Sequence, residues 1–304
     1  MPANFPEIWL NRVIINLTTA NEAPWLDGIA ELDVNVLELG AGSASEKNII
    51  HIPRSMFAPE VLINNTTYPI ALQEYTDDDV TVQLDKYQTK VTTLSDDQVV
   101  GASYNKIDVI TKGHTIQITS SKYKKAIHAI APASDTVDTP VLQATGDPLV
   151  AGGRKTLTYQ DIVTAKTRLG KSGGECPADN RRLVLCSEHW DDLLRDRKNF
   201  GDKLVNYKTG EVAPVIAGFE IYQYVGNPIF TAAGVKKPFG AIQNATDLQA
   251  SVMFYSPNIA KKTGLTKQYF AKAENDPENQ TNKLNYRHYF IALPAEAKYI
   301  GAII

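Results

Sequence analysis

The sequence is poor in cysteine, in excess charge of either sign and in long apolar runs. Its two cysteines, Cys176 and Cys186, are too few for a disulfide framework and lack further ligands for a zinc site, which leaves them as ordinary thiols of a reducing compartment. With 31 basic and 34 acidic residues, the net charge of -3 argues against a dedicated nucleic-acid-binding protein. No run reaches the roughly 18 apolar residues of a membrane helix, and Met1–Phe5 lacks the basic start of a signal peptide. We therefore expect a protein made in the cytosol, without a membrane span.

Motifs of catalysis and cofactor binding are missing as well. Gly170-Lys171-Ser172 ends like a phosphate-binding loop, but Ala165 stands where that loop needs glycine, and the motif follows a predicted helix instead of starting one. Ser187, His189 and Asp191-Asp192 match a catalytic triad only in residue type, because no nucleophile elbow surrounds Ser187, which is expected to cap a helix. The five histidines show no metal-ligand spacing. We expect no enzyme activity, no cofactor and no metal.

Apolar residues make up 43% of the chain, which is enough for a substantial core. Near the start they recur at the three- and four-residue spacing of a helix, at Phe5, Ile8, Trp9, Val13 and Leu17. A second tryptophan, Trp25, follows shortly after. Large aromatic residues near a terminus indicate docking, either on the chain's own core or on a neighbour.

Residues 60–93 predict two long strands joined at an acidic corner. Val61-Leu62-Ile63 leads in, and Asp77-Asp78-Asp79 forms the corner. The return strand carries apolar residues at alternate positions, Val80, Val82 and Leu84, before its phase changes at Tyr87. Because a long isolated hairpin is marginally stable in water, this one needs a partner surface, which indicates self-assembly.

A long helix is predicted next, from Ser95 to Ala131. Ser95 with Gln98 predicts a capping box, and apolar residues continue at helical spacing until Pro132 ends the run. Unbroken, such a helix would measure about 55 Å at 1.5 Å per residue. Gly101 and Gly113 are the positions that favour a kink or an interruption.

The second half has the pattern of an α/β unit, after a polar linker over residues 133–155. Thr158 is expected to cap a helix with Asp161, and Leu183–Cys186 is a predicted buried strand. Further strands are predicted at Gly218–Tyr224, Val252–Tyr255 and through the tail from Tyr286 to Ile304.

In this order of elements the chain resembles the major capsid proteins of tailed bacteriophages, which share the Hong Kong 97 fold. Their N-terminal arm is resembled by Pro6-Glu7-Ile8-Trp9 with Val13 and Leu17, and the entry to their extended loop by Ile50-His51-Ile52-Pro53. Their spine helix is resembled by Ser95–Ala131, and their axial domain by Pro177–Leu185 with Ser187, Trp190, Leu193 and Leu194. Their return through the peripheral sheet is resembled by Tyr286–Phe290 with Lys298–Gly301. The resemblance covers nearly the whole chain and rests on the order of elements, since no short motif is diagnostic.

This resemblance implies an α+β, Hong Kong 97-like capsid fold with five segments. They are an N-terminal arm with first strands (1–46), an extended β-hairpin loop (47–94), the spine helix with peripheral β-sheet and linker (95–156), an axial α/β domain (157–270) and return strands of the peripheral domain (271–304). The chain does not open with a long charged helical segment, so we expect a separate scaffolding protein or none.

The resemblance also implies a structural function, that of a major capsid subunit. Copies would assemble into the pentamers and hexamers of an icosahedral shell that encloses phage double-stranded DNA without sequence-specific binding. Besides further copies, a scaffolding protein, the portal and auxiliary capsid proteins are expected partners. The expected location is the virion capsid, assembled in the bacterial host cytoplasm.

Seven residues are candidates for contact between subunits: Trp9, Trp25, Asp77, Asp78, Asp79, Lys86 and Lys90. The three aspartates are expected to meet basic residues of a neighbour. Two alternatives stay open, an encapsulin-like nanocompartment shell protein and an α/β enzyme acting on a small molecule. The enzyme would need an apolar pocket with titratable groups of perturbed pKa.

Overall fold

The computed structural model describes residues 23–33, 49–55, 59–74, 77–95, 106–149, 153–173, 176–196, 205–206, 211–276 and 278–304. By its contacts the chain divides into a body, residues 1–32 and 85–304, and an extended unit, residues 33–84. The α-helices of the described residues are α1 (Lys106–Ile130), α2 (Tyr159–Lys171) and α3 (Ser187–Arg195). The described strands are β1 (Ile49–Ser55), β2 (Asp77–Gln83), β3 (Asp85–Gln88), β4 (Thr92–Ser95), β5 (Val141–Leu142), β6 (Arg181–Leu185), β7 (Val205–Asn206), β8 (Glu211–Val212), β9 (Val215–Ile216), β10 (Phe219–Gln223), β11 (Ile229–Phe230), β12 (Leu248–Gln249), β13 (Ser251–Tyr255), β14 (Ile259–Ala271), β15 (Thr281–Pro294) and β16 (Ile300–Ile303).

The extended unit is built on one antiparallel pair of strands. β1 pairs with β2 so that Ile49 lies opposite Gln83 and Ser55 opposite Asp77. Between them, residues 59–74 form no strand. The prediction that Asp77-Asp78-Asp79 forms the corner is wrong, because the three aspartates begin β2 and pair with Pro53–Ser55. A turn lies earlier, at Ile63-Asn64, where Asn64 adopts a φ of 55°, a left-handed conformation that asparagine tolerates.

A six-stranded mixed sheet, in the order β5-β16-β13-β6-β10-β9, forms the centre of the body. β6 and β10 are parallel, whereas β13 runs antiparallel to both β6 and β16. Since side chains alternate across a strand, β6 serves two cores. Leu183 and Leu185 pack with the apolar residues of α2 and α3, and Val184 packs with Trp25 and with the end of α1.

The second sheet of the body is a long hairpin with α1 against it. β14 and β15 pair along most of their length, β3 and β4 pair in turn with the far edge of β15, and α1 packs on β15. α1 has 25 residues, a length of about 37 Å at 1.5 Å per residue. Its buried face toward the sheet is unusually polar and contains Thr111, Thr115, Thr119 and Lys122.

Several local predictions are confirmed. Thr158 and Asp161 form a reciprocal capping box at the start of α2, and the apolar face of that helix is fully buried. Gly170-Lys171-Ser172 lies at the C-terminal end of α2, where Ser172 is the C-cap, so it has the geometry of a helix end and not of a phosphate loop. α1 ends at Ile130, as the sequence indicated. The interruption considered at Gly113 does not occur, because the helix continues through this residue.

Other predictions need correction. Ser187 is the first residue of α3, whose N-cap is Cys186, and no side chain caps this helix. The segment from Lys298 to Gly301 was grouped with Tyr286–Phe290, but Ile300–Ile303 is a strand of the six-stranded sheet. The boundary of the extended unit falls at Leu84 and not at residue 94, because β3 and β4 belong to the sheet of the body. The predicted helix start between residues 96 and 105 lies outside the described residues.

Candidate assembly surfaces

The segment between β1 and β2 exposes an unusual number of large apolar side chains. Leu72 is 100% exposed, Ile63 83% and Tyr68 74%. Within residues 59–74 the exposed large apolar residues are Val61, Leu62, Ile63, Tyr68, Ile70 and Leu72. Contiguous exposed apolar surface of this kind marks an interaction surface in a soluble protein. The sequence pattern predicted a strand at Val61-Leu62-Ile63, which is part of this surface, but the structure has no strand there.

Polar contacts give this segment a defined shape. The backbone N–H of Glu60 donates to Oε1 of Gln73 at 2.9 Å, which draws together the two ends of the segment. The side chain of Asn65 donates to the carbonyl of Thr67 and accepts from its N–H, both at 2.9 Å. An ordered loop loses less conformational entropy on binding than a free chain would.

The charged candidates lie in two different units. Asp79, on β2, is exposed and contacts Nδ1 of His51 on β1 at 2.5 Å; Asp77 and Asp78 lie on the same strand. Lys86, on β3, and Lys90, just after it, are both exposed on the body.

A cleft of about 580 Å³ lies between α1 and residues 87–92 of the body. It is lined by Tyr87, Gln88, Thr89, Lys90, Thr92, Ile110, Gly113, His114, Gln117, Ile118 and Ser121. Inside it, Oγ1 of Thr92 and Nε2 of His114 are 3.0 Å apart, and burial lowers the pKa of His114. Lys90 is the predicted contact residue that the described lining of this cleft contains. The cleft was not predicted from the sequence, although Gly113 in the middle of a helix was a signal for it.

Trp25 is not available to a neighbour. Its side chain is 0% exposed and its ring meets those of Tyr224 and Phe254 at centroid distances of 5.6 and 6.4 Å. Arg182 donates to the Trp25 carbonyl at 2.8 Å. The interpretation of Trp25 as an inter-subunit contact is therefore replaced by a role in the chain's own core. Trp9, the other aromatic candidate, lies outside the described residues.

The N-terminal segment is held to the body beyond Trp25. Glu31 forms a parallel bridge with Lys261 and accepts from Oγ1 of Thr263 at 2.6 Å. The backbone N–H of Leu32 donates to the carbonyl of Lys261, and Lys262 donates to the carbonyl of Leu32. These contacts fix where the N-terminal segment leaves the body.

The residues that resembled a catalytic triad form a structural network. The Asp192 carboxylate accepts hydrogen bonds from both terminal nitrogens of Arg154, at 2.7 and 3.0 Å, and from the backbone N–H of Leu157 at 2.9 Å. Nδ1 of His189 lies 2.7 Å from Oγ of Ser251, which also accepts from the N–H of Cys186. The His189 ring and the Asp192 carboxylate are both buried, and their hydrogen bonds fix the position of α3.

Buried His189 predicts a loss of stability in acid. Burial, reinforced by the positive charge of Arg154, lowers the pKa of His189 from 6.5 to about 4. Between these pH values the unfolded chain binds a proton that the folded chain excludes. The stabilisation is therefore complete above about pH 6.5 and is lost progressively as the pH falls to about 4, by about 3 kcal/mol for a shift of this size.

The measurement is urea unfolding of the chain and of His189→Gln at pH 7 and pH 4.5. Glutamine can still bond to Ser251 but does not titrate, so the variant should lose less free energy of unfolding between the two pH values. An equal loss in both proteins would mean that other groups account for the acid sensitivity.

The described residues contain no group of three or more His, Cys, Asp or Glu side chains placed to hold a metal ion. None of the helices in the described ranges is long and apolar enough to cross a membrane.

Comparison with known proteins gives a consistent result. The sequence model of a family described as phage capsid protein matches residues 76–303. None of the curated proteins matches. The capsid structure of the cyanophage P-SCSP1u is similar at a TM-score of 0.63, with 13% identity over 85% of this chain and 83% of that one. A chain of Mycobacterium phage Che8 gives 0.57, with 13% identity over 84% of each chain.

A virus-like particle from Pyrococcus furiosus is similar over 98% of both chains, at a TM-score of 0.57 and 7% identity. At these identities the solved structures show the fold alone. They confirm the α+β, Hong Kong 97-like fold that the order of elements predicted.

Proposed function

From the premise that this chain belongs to the phage capsid protein family and is a major structural subunit of a phage capsid, we propose that its copies close into a shell through the extended unit. The observation that carries the proposal is the exposed apolar surface of residues 59–74. Burying apolar surface stabilises association by roughly 25 cal/mol per Å². The body exposes large apolar residues too, such as Val225 and Ile242, but residues 61–72 bring six of them together in a short stretch of chain.

The proposed shell is icosahedral, with rings of five and six subunits. Contacts of this type are heterologous: the donor surface of one copy meets a different acceptor surface on the next, and the series closes around a rotation axis. Each contact need only be weak, because a closed shell multiplies contacts at high effective concentration. The acidic start of β2, Asp77-Asp78-Asp79, is proposed to meet basic residues of a neighbour.

The proposed contents are phage double-stranded DNA, held without sequence-specific contacts. A net charge of -3 is compatible with a shell wall that encloses DNA without binding it tightly. A scaffolding protein, the portal and auxiliary capsid proteins are proposed partners, and assembly is proposed to take place in the cytoplasm of the bacterial host.

We further propose that the chain has no catalytic activity. The His189–Asp192 network is committed to structure. The cleft beside α1 contains two residues with a perturbed pKa, and both shifts favour the neutral form: burial lowers the pKa of His114, and burial together with the Asp85 carboxylate raises the pKa of Tyr87. That composition does not support the small-molecule enzyme. The family match favours the phage capsid over the encapsulin-like nanocompartment.

Electron microscopy of the purified chain tests the proposal. The chain is expressed alone and with candidate scaffolding proteins from the same genome. Closed shells, or rings of five and six, are the expected result. A chain that stays monomeric under every condition contradicts it.

A further inference from the structure

Unpaired polar atoms are concentrated between α1 and the second sheet of the body. Four buried atoms there have no hydrogen-bond partner among the described residues: Oγ1 of Thr119, Nε2 of His288, and Oε1 and Nε2 of Gln268. Thr119 is 0% exposed and His288 1%. Because an unpaired polar group in the interior is costly, native proteins rarely keep several of them in one place. Their concentration in a single interface points to a common partner.

The register of the sheet places two of these side chains next to each other. Gln268 on β14 lies opposite Tyr286 on β15, and His288 lies two residues farther along β15. Paired residues and residues two apart share a face, so Gln268 and His288 are diagonal neighbours on one face of the sheet. That face is the one toward α1, because Oγ1 of Thr111 on the helix lies 3.5 Å from Oη of Tyr286.

The helix brings Thr119 to the same place. Near the end of α1, the ammonium of Lys122 lies 5.0 Å from the ring centroid of Phe290. Together with the contact of Thr111, this shows that α1 and β15 run in the same direction here. Thr119 is three residues before Lys122 on the buried face of the helix, and His288 is two residues before Phe290 on the strand. Thr119 and His288 therefore lie at the same level of the interface.

Water is the ligand whose chemistry fits this set of atoms. The Gln268 amide offers a donor and an acceptor, and a threonine hydroxyl can do both, so the partner must also donate and accept. The other ring nitrogen of His288, Nδ1, lies 2.9 Å from Oγ1 of Thr266. Burial, reinforced by the charge of Lys122, lowers the pKa of His288 to about 3, so Nε2 of the neutral ring needs a donor or an acceptor according to its tautomer. A metal ion would bind acceptors only, and an anion donors only.

We propose that α1 is held on β14 and β15 through a buried water site, in which ordered water bridges Oγ1 of Thr119, Nε2 of His288 and the amide of Gln268. Buried waters typically make about three hydrogen bonds to groups that the protein leaves unpaired. The short threonine side chains of the buried helix face leave room for them. The described lining of the cleft contains none of the three residues, and the site needs no second copy, so the inference is independent of the proposed function.

A density map of the unsubstituted chain, from assembled shells or from crystals, tests the site directly at a resolution that shows ordered water. The expected result is a peak within about 2.6–3.2 Å of both Oγ1 of Thr119 and Nε2 of His288. A map without such a peak overturns the inference. So does a map in which the Gln268 amide has turned to bond directly to His288.

Thr119→Val tests the site in solution, because valine keeps the β-branched shape of threonine and removes the hydroxyl. Loss of a hydrogen bond to water should lower the Tm of the unassembled chain by about 2–4 °C. Thr115→Val is the matched control, since Oγ1 of Thr115 is buried one turn earlier and donates to the carbonyl of Thr111 at 2.9 Å. We expect similar decreases in Tm from both variants. A Tm of Thr119→Val that is unchanged or higher means that the hydroxyl has no partner, and it overturns the water site.

Discussion

Replacing Tyr68, Ile70 and Leu72 together by serine is expected to abolish shell formation while leaving the folded subunit intact. All three side chains are exposed in the subunit, and substitutions at exposed positions usually change the free energy of unfolding by less than about 0.5 kcal/mol. On association, each side chain contributes about 1.5–3 kcal/mol if it becomes fully buried. Losing three of them from every contact raises the concentration needed for assembly by about a hundredfold or more.

The measurement is sedimentation of shells against subunit concentration, together with the Tm of the unassembled chain. A control triple variant places serine at Val215, Val225 and Ile242, which are also exposed but belong to the body. If the first variant assembles as well as the unsubstituted chain, residues 59–74 do not drive association. An equal loss in both variants would show that general surface hydrophobicity, and not this segment, drives association.

The elements of this chain that depend on local sequence patterns were predictable. The capping box at Thr158 and Asp161 was predictable because both partners are three residues apart and neither depends on tertiary contacts. The strand Leu183–Cys186 was predictable because a short apolar run between polar residues favours burial on both faces. The order of such elements was enough to place the chain near a known fold.

Elements defined by long-range pairing were less predictable. β14 was missed because Lys261, Lys262 and Lys267 interrupt its apolar pattern, and it is a strand through its pairing with β15. The acidic triplet was misplaced for a related reason. Three aspartates are typical of a solvated turn, but the register of β1 with β2 places these three opposite Pro53–Ser55.

The assembly surfaces show a different limit of sequence reasoning. Apolar residues such as Ile63 and Leu72 look alike in a sequence whether they enter the chain's own core or await a second copy. Trp25 shows the converse, since an aromatic residue near the terminus fits both roles equally until its burial is known. The cleft beside α1 exists because β15 brings residues 87–92 next to the helix, a juxtaposition that spans most of the chain.

Trp25→Ala is expected to destabilise the unassembled subunit by about 3–5 kcal/mol, because it removes a fully buried indole from the core and leaves a cavity. The backbone contact from Arg182 to the Trp25 carbonyl does not involve the side chain, so the variant isolates the contribution of the ring. For a protein of this size the Tm should fall by on the order of 10 °C. Thermal and urea unfolding of the monomeric chain measure the change.

Trp25→Phe is the matched control, since phenylalanine keeps an aromatic ring against Tyr224 and Phe254 and should cost clearly less than alanine. The two possible roles of Trp25 predict opposite results. A residue of the core lowers the Tm of the monomer, whereas an inter-subunit contact leaves that Tm unchanged and weakens only assembly. An unchanged monomer with failed assembly would restore the inter-subunit role, and it would mean that polar contacts such as those to Lys261 and Lys262 are enough to hold the N-terminal segment on the body.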